Sequence, residues 1–104
     1  MANSHRFHIG DVLSVTSEIM VSPRGVSGLR GILAFMTNTG GPDDTSITDT
    51  GCLALVPRCK AELIKQYPWL SEIEDSHVTK ENVEMWKQEI IRKHGEYLEV
   101  TPLP

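Results

Sequence analysis

A chain of 104 residues, 39% apolar and 23% charged, has the make-up of one folded domain that buries about two thirds of its unfolded surface. Ten Lys and Arg against fourteen Asp and Glu leave a formal net charge of −4, the opposite of the basic surplus that a general nucleic-acid binder needs. No apolar run approaches the ~18 residues of a membrane span, and the stretch from Met1 to Arg6 lacks a secretory signal, so a soluble cytoplasmic protein without membrane contact is expected.

Residues 1–8 read as a frayed start. Val12-Leu13-Ser14-Val15-Thr16 reads as a strand, on its β-branched content and the alternation of Leu13 with Val15. Ile19-Met20-Val21 makes a second short extended segment. Ser22-Pro23 has the form of a helix start, a capping hydroxyl followed by a residue whose missing donor costs nothing at the first position. Val26, Leu29, Ile32, Leu33 and Met36 follow at spacings of three and four, which predicts a helix from Pro23 to about Thr37. Gly25, Gly28 and Gly31 weaken that helix by up to ~1 kcal/mol each. Their spacing gathers them into a flat strip suited to close packing of another element or, where it faces solvent, to a partner's backbone or a homodimer contact.

Residues 38–51 read as a long polar loop, rich in Gly, Pro, Asp, Thr and Ser. Its carboxylates Asp43, Asp44 and Asp49 lack the alternate-residue pattern of a calcium loop, and no Lys follows its glycines as a phosphate loop requires. A solvated loop and a partner-contacting loop both fit. Cys52-Leu53-Ala54-Leu55-Val56 reads as a short buried run leading to a helix from Pro57 to Gln66 or Tyr67, with Cys59, Leu63 and Tyr67 on one face. Arg58 then falls in the first helical turn, where the macrodipole disfavours a cation, which points to a carboxylate partner or a binding role. Pro68 ends or bends that helix, and Trp69 and Leu70 are expected to pack back on the core. Cys52 and Cys59 match neither a redox nor a zinc spacing; Cys59 reads as a buried free thiol, with a short disulfide loop as the other option.

The last helix has consistent local signals. Thr79 is suited to capping, Val78 and Val83 have the spacing of a hydrophobic staple, and Val83, Trp86, Ile90 and Ile91 form the apolar face. Arg92-Lys93-His94 and then Gly95 close it. Tyr97 to Thr101 reads as a final strand. The sum is an α+β single domain with about three helices packed on a small antiparallel sheet.

Chemistry is scarce in this pattern. His77 and His94 flank the last helix at ends about 20 Å apart at 1.5 Å per residue, so no metal centre is expected, and no cofactor motif is present. Cys59 lies among apolar neighbours and no strand–turn–helix serine element occurs, so no catalytic residue is assigned. Glu72, Glu74 and Asp75 lie on a short connection. They are either solvated or, with Asp43, Asp44, Asp49 and Arg58, part of an acidic surface that meets a basic protein partner. An outright nucleic-acid mimic would need more carboxylates than a net −4 supplies.

The segments Gly10-Asp11-Val12-Leu13-Ser14-Val15-Thr16, Ser22-Pro23, Gly31-Ile32-Leu33 and Phe35-Met36-Thr37 resemble the start of a family of small uncharacterised proteins of tailed phages and prophages. The likeness resumes at Pro57-Arg58, runs through Gln66-Tyr67-Pro68-Trp69-Leu70, and returns at Trp86, Gly95 and Val100-Thr101-Pro102-Leu103. The chain departs from that pattern between Thr37 and Pro57, where the family has a short connection with a Thr-His-Gln-Leu run and this chain has a longer one without histidine. The resemblance implies a phage or prophage accessory protein and no particular activity.

Size, acidity and resemblance together predict a non-enzymatic protein that binds and inhibits a bacterial host protein, foremost a defence (CRISPR-Cas) component, in the host cytoplasm. The alternatives are a component of phage particle assembly and a small enzyme with a pocket between helices and sheet.

Overall fold

The computed structural model describes residues 4–17, 19, 21–41 and 44–103. Its first departure from expectation is at residues 5–16. His5–His8 forms a strand, β1, and the expected strand Val12–Thr16 belongs to a helix, α1, Ile9–Thr16. All eight residues of α1 are buried. A helix enclosed on every side needs no polar stripe, so apolar content stands in for periodicity and imitates a strand. His8 fixes the helix start: its Nδ1 accepts from the Gly10 N–H at 2.9 Å, while the Ile9 N–H donates to Glu96 O at 2.7 Å. Residues 5–8 of the supposedly frayed start therefore belong to the sheet; Met1 to Asn3 lie outside the described residues. Ile19 and Val21 follow as non-helical chain, and Met20 of the second extended segment lies outside the described residues.

Helix α2 spans Val26–Met36, shorter at its start than Ser22-Pro23 implies. Ser22 caps nothing in it; its hydroxyl donates to the buried carboxylate of Asp11. Gly25 takes the N-cap position with φ +63°, a conformation glycine adopts without penalty. Gly28 and Gly31 are buried, and a Cβ at Gly28 would collide with Ser22 Oγ and Asp11 Oδ1. Close packing therefore accounts for the glycine strip at Gly28, and its buried members offer no solvent-facing dimer contact.

Helix α3 runs from Asp49 to Gln66, absorbing the end of the expected loop and the run at residues 52–56. Thr48 starts it, accepting from the Gly51 N–H at 3.0 Å. Pro57 lies inside the helix. It shares the exposed side of α3 with Leu53, which is 77% exposed, so the carbonyl that loses its donor four residues earlier is on the solvent side. Of residues 52–54, Cys52 is buried while Leu53 and Ala54 are exposed, which corrects the reading of a buried run. A 3-10 turn, Pro68–Glu72, follows and buries Leu70.

Helix α4, Val83–His94, starts one turn after Thr79. Asn82 precedes it, with Oδ1 accepting from the Thr79 N–H at 2.7 Å and Nδ2 donating to His77 O at 2.9 Å. Gly95, at φ +97°, closes the helix as expected. The closing strand β2, Tyr97–Val100, pairs antiparallel with β1, His5 opposite Val100 and His8 opposite Tyr97. Gln66 covers the end of β2 as a neighbouring strand would: its Oε1 accepts from the Thr101 N–H and its Nε2 donates to Thr101 O, both at 3.0 Å.

The architecture is α+β, with four α-helices rather than three and a two-stranded antiparallel sheet among the described residues. Phe7, Leu13, Ile32, Leu33, Met36 and Leu63 form the centre of the core. No helix among the described residues is long and apolar enough to cross a membrane.

Candidate binding groove

A concavity of about 430 Å³ lies between the Pro68–Glu72 turn, the connection after it and α4. Trp69 and His94 form one wall as a parallel stack, ring centroids 3.6 Å apart and planes 1° from parallel. Trp86, anchored by its indole N–H to Glu74 O at 3.0 Å, and Ile90 supply the apolar floor. α4 contributes because Trp86, Glu89, Ile90, Lys93 and His94 recur at helical spacing and so share one face.

Glu72, Glu74 and Glu89 place three carboxylates on the lining, with Lys93 and the imidazoles of His77 and His94. Glu74 Oε1 accepts from the Ser76 N–H at 3.1 Å and from Ser76 Oγ. Those two bonds, helped by nearby His77, hold its pKa below the ordinary glutamate value. Glu72 and Glu89 have no ion-pair partner among the described residues. Glu74 is thus a standing anion rather than a proton donor.

The sequence-derived candidates divide. Glu72 and Glu74 converge on the groove, and Asp75, beside them, does not line it. Asp44 lies on the non-helical chain before α3, where Ser46 donates to it from N–H at 2.8 Å and Oγ at 2.6 Å and lowers its pKa. Asp49 is ion-paired with Arg30 of α2. Asp43 lies outside the described residues. Arg58 is exposed in the middle of α3, not in its first turn. The conflict that called for a carboxylate partner therefore does not arise, and Arg58 makes no ion pair among the described residues.

Trp69, Glu89, Lys93 and the two imidazoles were not singled out by sequence as groove residues. The charged positions at helical spacing along the Trp86–Ile90 stripe are the available signal. The expectation that His77 and His94 flank the last helix at opposite ends misses that both line the groove, the connection before α4 being held against it by the Trp86 indole bond to Glu74 O. Among the described residues no group of three His, Cys, Asp or Glu side chains is placed to hold a metal ion.

A smaller cleft of about 270 Å³ lies over β1 and β2. Its charges already have neighbours: Arg24 faces Asp11 at 3.5 Å, His8 faces Glu96 at 3.4 Å, and Arg6 sits 5.2 Å from the Tyr97 ring centroid. Cys52 and Cys59 are both free and buried. Burial pushes the Cys59 thiol up to about 11, against a weaker opposing pull from Arg58, which suits a packing residue and not a nucleophile.

No family model matches the chain. No curated protein and no solved structure is significantly similar to it either.

Proposed function

We propose that the chain is a non-enzymatic phage or prophage accessory protein that binds and inhibits a bacterial host protein. The groove supports this reading best: an aromatic wall and three carboxylates form a concave, net-negative surface complementary to a basic partner. The resemblance to tailed-phage proteins directs the choice of partner to a host defence complex, a CRISPR-Cas component first, and hence to the bacterial cytoplasm.

The test is affinity purification of the tagged protein from host lysate with mass spectrometry, repeated with Glu72→Lys and Glu89→Lys. One host complex retained by the native chain and lost with both variants is the expected result. An empty purification, or one unchanged by charge reversal, overturns it. The second reading, a particle component, draws on Leu53, exposed at 77% on α3. It predicts stoichiometric copies in purified virions instead.

A further inference from the structure

We infer that the groove receives an arginine side chain, presented on an extended segment of the partner protein. This inference rests on the binding reading above and adds the chemistry that the site recognises.

Three features select a guanidinium. First, the lining carries Glu72, Glu74 and Glu89 against one Lys93, so with neutral imidazoles it holds an excess of two negative charges. Glu72 and Glu89 are unpaired among the described residues, which leaves their lone pairs for an incoming donor. Second, the Trp69 and His94 rings stack parallel, 3.6 Å between centroids and 1° between planes, and the exposed His94 continues the planar aromatic system of the indole toward solvent. A guanidinium is planar, weakly hydrated and stacks on indole, whereas an ammonium is a compact, strongly hydrated charge that does not. Third, the about 430 Å³ of the groove falls in the ~300–1,000 Å³ range of ligand pockets, enough for one long side chain with adjoining backbone.

The geometry is also prepared in advance. Ser76 fixes the Glu74 carboxylate, Asn82 bridges Thr79 to His77, and the Trp86 indole ties the connection to α4. Side chains already held in place lose less freedom on binding. A phosphate or other anion is repelled by the same carboxylates, so a nucleic-acid backbone does not fit this lining.

The experiment is an NMR titration of the full chain with three blocked peptides, Gly-Arg-Gly-Arg-Gly and its lysine and citrulline counterparts. The expected result is saturable shifts of the Trp69 indole and the His94 ring with the arginine peptide, at least tenfold weaker binding of the lysine peptide, and no saturation with citrulline, which keeps the shape and loses the charge. Glu89→Gln and His94→Ala each weaken the arginine peptide at least fivefold. His94 is exposed, so that variant retains the fold, which the spectrum itself verifies. Equal binding of citrulline, or shifts mapping away from Trp69 and His94, overturns the inference. The two levels separate cleanly. Host capture without arginine-peptide binding refutes the arginine slot alone, and peptide binding with an empty host purification refutes the inhibitor reading alone.

Discussion

Around α1 the polar side chains turn inward and are satisfied there. The Asp11 carboxylate takes the Ser22 hydroxyl and faces Arg24, and Ser14 donates to Gly10 O at 2.8 Å while accepting from the Val21 N–H at 3.1 Å. Along α4 the reverse holds: Glu89, Lys93 and His94 stand at the surface around a concavity. The difference separates two kinds of polar residue. Those of the first region hold the turn at residues 21–25 against a buried helix, so their loss costs stability. Those of the second hold little of the fold, so their loss is expected to leave stability nearly unchanged and, on the proposed reading, to cost recognition.

The largest effect is expected at Asp11. Asp11→Ala strips the buried partner from Ser22 and lowers the unfolding free energy by roughly 3 kcal/mol in urea denaturation. Gly28→Ala follows at roughly 2 kcal/mol, because its Cβ meets the same Ser22–Asp11 pair; a stabilised variant, as helix propensity alone would give, breaks the account of that contact. The Cys59 thiol, raised to about 11, contributes stability that is complete below its ordinary value and is lost as pH rises from about 9 through about 11. Cys59→Ala is expected to flatten that alkaline limb in thermal melts. His8→Ala removes the cap of α1 and costs about 1 kcal/mol. Last, Glu89→Lys changes stability by no more than about 0.5 kcal/mol while abolishing partner capture. A large loss of stability there would erase the contrast between the two regions.

Legibility in the sequence followed the same division. The last helix and closing strand were readable because Val83, Trp86 and Ile90 keep an amphipathic period and Gly95 marks the stop. α1 was not, since a helix buried all round has no polar face to set a period. Pro57 misled for another reason: proline signals a helix start far more often than an interior position, and its tolerance here depends on an exposed flank. Of the site, Glu72 and Glu74 stood out as a local acidic run. Trp69 read as core, which is half true, for it is partly buried while its ring face stacks on His94. A wall made by residues 25 positions apart leaves no mark in local patterning.

Strand β1 finds its partner, β2, almost a full chain length away. Pairing at such separation carries a large loop-closure entropy, which the packing of the intervening helices must offset. The Ile9 N–H bond to Glu96 O ties the start of α1 to that same long-range contact. The β1–β2 pairing and this bond therefore clasp the start of α1, the most buried helix, between segments from opposite ends of the described chain.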